Sequence, residues 1–369
     1  MMVGKVTGWW GSIQRCLFPE VDAARLEFEA ELTNPIRKVI NVLDTVQIEN
    51  FIADSTTHRP VGRPPKVRAA LARAFVAKAV LNLPTTRALI DRLASDIVLR
   101  RICGFESKTQ VPCEATFSNA FAEFARDDLL QVVHVAMLAQ HCGDALAHNI
   151  SRDATAIEGR EKPVVKPKLP KEAKLKKPRG RPKKGEERPK TPTRIERQPS
   201  MTLDEMLSDL PTTCDVGAKT NSQGNQEVWI GYKLHLDVAD GGVPVSAILT
   251  SASVHDSQVA IPLEVMTSHR VDSLYSLMDK AYGAKGIRDF IEASGKIAVV
   301  PAKKTSKDEP ALPLDPPKAE RFKARTTAER ANSQLKDNLG GRHVRVRGGM
   351  KVMTHLMFGV LVLTAQMLM

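Results

Sequence analysis

Apolar residues recur at helical spacing through the first part of the chain and alternate with polar ones through much of the rest. An amphipathic stretch from Asp22 to Glu49 is followed by a break at Thr56 to Pro65, where Gly62-Arg63-Pro64-Pro65-Lys66 interrupts any regular period. Val67 to Asn82 then reads as a helix stopped by Pro84. Thr85 opens another toward Ser95, and Glu114 to His141 keeps a helical period after the loop with Pro112. Period alone does not separate two roles for Thr116 to Phe124, a helix presented to DNA or one that only packs.

From His148 the pattern changes to strands. Asn149 to Ile157 is one, and Trp229 to Val238 and Val243 to Ser251 flank Asp240-Gly241-Gly242 as a hairpin. Asp256 reads as the N-cap of a helix toward Thr267, followed by a strand from Leu274 to Met278, a helix from Ile287 to Ser294 and a strand from Ile297 to Val300. Asp315-Pro316-Pro317 starts a long helix that Gly340-Gly341 stops. The apolar run from Val352 to Met369 is interrupted by Thr354, His355, Thr364 and Gln366, which predicts a buried core helix and no membrane span.

The expected fold class is therefore α/β. A ribonuclease H-like mixed sheet with flanking helices is preceded by an all-helical N-terminal module and interrupted by a disordered basic arm. The expected boundaries are 1–56 for a helical segment, 57–147 for the helical module and 148–369 for the sheet domain, with 158–228 as the basic insertion.

Composition refines this picture in two places. The five cysteines are odd in number and include no CxxC pair, and no signal-peptide pattern opens the chain, so reduced thiols in a cytoplasmic protein are expected. His134, His141, Cys142 and His148 match no common zinc spacing and lie in an apolar helical stretch. The formal net charge is +12, and Lys162 to Arg197 carries fifteen Lys and Arg against four Glu. Nearly all the excess charge sits in this one segment, which also holds seven prolines and too few apolar residues to fold alone.

Three acids stand where rigid elements can aim them at one point. Asp153 lies on the first strand, Asp279 at the end of the fourth, and Glu329 on the long helix within Phe322-x2-Arg325-x3-Glu329-x6-Lys336. Offsets of four and seven put Arg325, Glu329 and Lys336 on one helical stripe, with Phe322 one turn earlier. Carboxylates suit a hard metal such as Mg²⁺, and Arg and Lys suit the phosphates that such a metal also grips. The structural alternative is a surface ion pair at i, i+4, worth a few tenths of a kcal/mol.

These residues resemble the DDE transposases of bacterial insertion sequences, in the group with a tyrosine-arginine-glutamate-lysine helix. The resemblance rests on Ser151-Arg152-Asp153-Ala154-Thr155-Ala156-Ile157, Gly231-Tyr232-Lys233-Leu234-His235, Ser253-Val254-His255-Asp256, Leu277-Met278-Asp279-Lys280-Ala281-Tyr282-Gly283 and the Phe322 to Lys336 helix. With the helical module after Gly62, as a DNA-binding module, it covers most of the chain. It implies metal-dependent 3′-end cleavage and strand transfer at terminal inverted repeats, with Asp153, Asp279 and Glu329 as catalytic acids and ligands of two Mg²⁺, Mn²⁺ being an alternative. Arg325 and Lys336 would position the strand. Phe322 replaces the family's tyrosine, and Asp256 is read as a helix cap or supporting group. DNA is the expected partner, both the element's ends and the target, bound by a homo-oligomer near the nucleoid with no membrane role. The rival readings are a ribonuclease H-like nuclease or resolvase without strand transfer, and a DNA-binding regulator with an inert site.

The arm contains Pro178-Arg179-Gly180-Arg181-Pro182-Lys183-Lys184, which looks like an AT-hook. Arg179, Arg181 and Lys183 would enter a narrow minor groove, where the negative potential is enhanced. A second basic cluster, Arg342, Arg345, Arg347 and Lys351, follows the long helix and would hold phosphates beside the site.

Overall fold

The computed structural model describes residues 32–52, 67–143, 146–164, 192–220, 223–302 and 313–369. The sequence between Asp22 and Glu49 predicts one helix, of which α1 (Asn34–Val46) is described; it ends where Gln47 turns left-handed at φ 45°. Helix α2 (Arg68–Val80) is buried nearly all round, and its alanines let it pack closely on α1 and the C-terminal helix. Helices α3 (Thr86–Ser95) and α4 (Ile97–Ile102) are capped by the side chains of Thr85 and Asp96. The stretch from Glu114 to His141 is two helices, α5 (Glu114–Arg126) and α6 (Leu129–His141). The break falls at Asp128, whose φ of 48° no helix interior accepts.

The long strand β1 (Ala147–Glu158) opens the sheet. After it come the short helices α7 (Arg194–Arg197) and α8 (Leu203–Asp209), then β2 (Asp215–Thr220), β3 (Gln226–Ala239) and β4 (Pro244–Ser251). Helix α9 (Ala260–Ser268), β5 (Ser273–Leu277), α10 (Lys285–Ala293) and β6 (Ile297–Val299) complete the sheet and one helical layer. Three helices end the chain: α11 (Pro316–Phe322), α12 (Thr326–Asn338) and α13 (Gly349–Leu368).

Within the expected basic insertion at 158–228, residues 192–220 include α7, α8 and β2, and Thr193 with Glu196 and Thr202 with Glu205 form capping boxes at the starts of the two helices. Ile195, Met201 and Met206 also pack onto the cluster around Ile287 and Ile291. The AT-hook-like run, with Arg179, Arg181 and Lys183, lies outside the described residues.

The sheet is mixed, in the ribonuclease H-like α/β arrangement that the sequence predicts. Strand β3 pairs antiparallel with β1 on one side and with β4 on the other, and β2 extends its outer end. Strands β5 and β6 add to the other edge of β1, all three parallel. One face carries α9 and the opposite face α12 and α13. At Gly231, where φ is 150°, an added Cβ would stand 2.2 Å from the Ile157 carbonyl oxygen, so only glycine lets β3 cross β1 there.

Helix α13 runs through the main core, against α1, α2, α5 and α6 on one side and β4 and α12 on the other. Its polar interruptions find internal partners: the Thr354 hydroxyl donates to Met350 O, His355 Nε2 meets Gly340 O, and Thr364 donates to Val360 O. Gly359 allows the end of α12 to approach, since a Cβ there would sit 2.8 Å from Leu339 O.

Candidate active site

Period-two alternation on β1 decides what each of its residues meets. Arg152 points to the α9 face and is 1% exposed. It donates to both carboxylate oxygens of Asp237 at 2.7 Å, to Glu264 at 3.0 Å and to Ala260 O at 3.0 Å. Lys296 completes the network by donating to Glu264 at 2.9 Å, and the Thr267 and Ser276 hydroxyls donate to Asp237 and Glu264. Two cations and two carboxylates thus neutralise one another inside the protein, tying β1, β3, β5 and α9 together.

Asp153 points the other way, toward α12. Asn332 Nδ2 donates to its Oδ2 at 3.0 Å, and Arg325 stands 3.8 Å from its Oδ1. Burial pushes the Asp153 carboxyl up to about 6; Asn332 and Arg325 pull against that rise, and the charge of Glu329 adds to it. Arg325 also forms a close ion pair with Glu329, so one guanidinium serves both acids. Beneath them, the Ser151 hydroxyl donates to Ala324 O and holds the segment before α12 onto β1.

Asp279 follows β5, the parallel neighbour of β1. Ser151 pairs with Leu277, so Asp153 and Asp279 each lie two residues beyond the same rung. The Asp279 carboxylate accepts from Ala281 N at 2.8 Å and caps the turn that carries Tyr282. Tyr282 is 1% exposed and its hydroxyl finds no partner among the described residues. Burial and then the charge of Asp256 raise its ionisation well above the ordinary range, and Asp153 and Asp279 act in the same sense.

The long helix expected from Asp315 to Gly340 is interrupted. A 3₁₀ turn over Lys323–Arg325 separates α11 from α12, so Phe322 and Glu329 do not share one straight helix. The turn aims Arg325 back at Asp153. Glu329, Asn332 and Lys336 do share α12, at offsets of three and seven. Asn332 is the contact to Asp153 that the residue pattern held without being singled out. Lys336 is half-buried, and its ammonium is lowered first by burial, then by the nearby Lys219 and Arg342. Arg342 itself pairs with Asp337 at 2.6 Å, while Arg345 and Arg347 are exposed.

Asp256 does not act as the helix cap. His255 caps that turn by accepting from Ser257 N, and the Asp256 carboxylate takes Lys233 Nζ at 2.8 Å. The pair joins β3 to the turn before α9. His134 is a buried hinge between helix and sheet, bonding Pro244 O and Thr364.

A desolvated carboxylate at Asp153 lies beside Asn332 Oδ1, which is buried and accepts from nothing among the described residues; both are oxygen donors of the kind a hard divalent cation takes. Arg325 supplies positive charge at this place. Among the described residues, no group of three His, Cys, Asp or Glu converges closely enough to hold a metal. Glu329 turns to Arg325, and Asp279 turns to its own capped turn.

Comparison with known proteins gives two family matches. A model described as a transposase DDE domain matches residues 190–365, and one described as a transposase domain (DUF772) matches residues 25–123. The first begins after β1, so Asp153 lies outside its span. No curated protein and no solved structure matches the chain.

Proposed function

The chain belongs to the DDE transposases, and from that premise we propose that it cleaves the 3′ ends of an insertion sequence at its inverted repeats and joins them to target DNA. Asp153, Asp279 and Glu329 are the acids that bind two Mg²⁺, or Mn²⁺, in this reading. The observation that carries it is the rung shared by β1 and β5: Asp153 and Asp279 follow paired residues of adjacent parallel strands, and α12 lies against β1 with Glu329 linked to Asp153 through Arg325.

Bound divalent ions supply an activated water or hydroxyl and neutralise charge on the phosphate. The chain's own residues do the placing. The Arg152 network fixes β1 in register, and Asn332 sets the rotamer of Asp153. Arg325 is the residue that changes partner: a phosphodiester offers its guanidinium a bidentate site, and Asp153 and Glu329 then lose their internal counter-charge. Lys336, further along α12, meets the strand beyond the cut. Residues 57–147 act as the DNA-binding module, and a homo-oligomer brings two ends together in the cytoplasm.

The test is cleavage of a duplex carrying an element end, in Mg²⁺, followed for both nicked and joined product. Glu329→Gln and Asp279→Asn should lose cleavage while keeping DNA affinity within about twofold, since the phosphate-contacting cations remain. Wild-type cleavage by either variant refutes the site assignment. Nicking by the wild type without any joined product assigns it instead to the nucleases that do not transfer strands.

A further inference from the structure

Between the helices and the segment after α12 lies a cavity of about 910 Å³. Its rim carries Lys78 from α2, Arg160 after β1, and Arg345, Arg347 and Lys351 before and within α13. Against these five cations, Glu114 is the one carboxylate of the lining. Lys78 is informative because burial pulls its ammonium down to about 8, and it meets no carboxylate among the described residues. A desolvated, unpaired cation costs stability that an anionic ligand restores. The first turns of α3 and α5 open into the same space at Thr85, Thr86 and Glu114, adding their positive helix ends. The floor is formed by Phe75, Phe121 and Phe358, whose rings pack with centroids 5.2 to 6.1 Å apart.

We propose that this groove holds the sugar-phosphate backbone of the DNA whose end is cut. The inference rests on the transposase reading and adds where the duplex leaves the site. Leu339, at the end of α12, lines the groove, and ten residues of helix rise separate it from Glu329, about 15 Å. DNA advances 3.4 Å per step along each strand, so the groove meets phosphates about four steps from the cut. Lys336 lies on α12 between Glu329 and Leu339, so the helix makes a track from the site toward the groove with a cation along it. DNA is favoured over an acidic peptide because that track begins at the acids that would cut it. The helical part then contributes directly to the catalytic complex through Lys78 and the start of α5.

The experiment is DNA affinity by fluorescence anisotropy from about 50 to about 200 mM salt, on a duplex of about 30 base pairs. Arg345→Gln/Arg347→Gln/Lys351→Gln should lower the slope of log affinity against log salt by about 2 to 3, near 0.9 for each lost contact. Arg37→Gln/Lys38→Gln/Lys285→Gln removes the same charge from exposed sites outside both the groove and the helical module and should leave the slope unchanged. Lys78→Met should lower it by about 1 without lowering the melting temperature, because it removes an unpaired desolvated charge. An uncharged methylphosphonate about four steps from the cut should weaken wild-type binding and have no further effect on Lys78→Met. Equal slopes for the groove and control triples, or an equal methylphosphonate penalty in both proteins, overturn the proposal. These outcomes are independent of cleavage: absence of Mg²⁺-dependent cutting by the wild type would refute the catalytic reading and leave the slopes to decide the groove.

Discussion

Replacing Arg152 with Met tests whether the network behind β1 holds the site in place. The guanidinium is 1% exposed, and its two partners, Asp237 and Glu264, are 0% and 2% exposed. Without it Asp237 keeps, among the described residues, the Thr267 hydroxyl as its one side-chain partner, while Glu264 keeps Lys296 and Ser276. Breaking a buried pair in this way costs about 3–5 kcal/mol, a large share of the roughly 5–15 kcal/mol by which folded proteins are stable. At about 2 °C per kcal/mol, a slope suited to a large protein, the melting temperature should fall by about 6–10 °C. Neutralising the stranded acid as well, in Arg152→Met/Asp237→Asn, should recover about half of that loss, since the dominant penalty is an uncompensated buried charge, while Glu264 remains paired with Lys296. Calorimetry or denaturant titration of the two variants measures both numbers. A loss below about 1 kcal/mol for the single variant, or a double variant less stable than the single one, refutes the reasoning. Cleavage measured well below the melting temperature should also fall in the single variant, because β1 carries Asp153 on the residue after Arg152.

Two further outcomes follow from burial and charge. His134 and His235 are buried and His355 is half-buried, and desolvation lowers their ionisation to about 3, about 3 and about 4. Unfolded imidazoles titrate near 6.5, so between that value and the folded ones the unfolded state holds more protons; stability falls as pH drops below about 6.5, by up to about 1.4 kcal/mol per pH unit for each histidine. Denaturation midpoints at about pH 7 and about pH 5 read this, and His134→Gln should shrink the difference; an unchanged difference counts against it. Removing 165–191, with twelve Lys and Arg against three Glu, should lower DNA affinity and flatten its salt dependence. Equal salt slopes with and without the segment make it a spacer.

Much of the framework was legible because periodicity reports burial directly. The strands around Asp153 and Asp279, the hairpin at Gly241 and the buried C-terminal helix all carry their pattern in sequence. The site is legible only as far as local spacing reaches. Glu329 and Lys336 share α12 as their offset requires, but the 3₁₀ turn at Lys323–Arg325 depends on Ser151 across the sheet, a contact 173 residues away in sequence. Asp256 has the residue type of a helix cap, yet Lys233 captures its carboxylate from another strand and leaves the cap to His255. Arg152 adjoins Asp153 in sequence, and the sheet register shows that it faces the opposite layer. Ordered structure at 192–220 was hidden by the charge of the arm that precedes it, although both capping boxes are local.

The position of α13 also bears on how the chain reaches its native state. The helices between Asn34 and His141 pack around α13, which is synthesised after the whole sheet, and Phe75 and Phe121 find Phe358 only when that segment arrives. N-terminal segments commonly fold first as they emerge, but here the early helices lack their central partner until the sheet has been made. Contacts of this sequence separation slow folding, because a long loop must close before the apolar surfaces meet. Packing against both sides, α13 thus couples the helical part to the sheet.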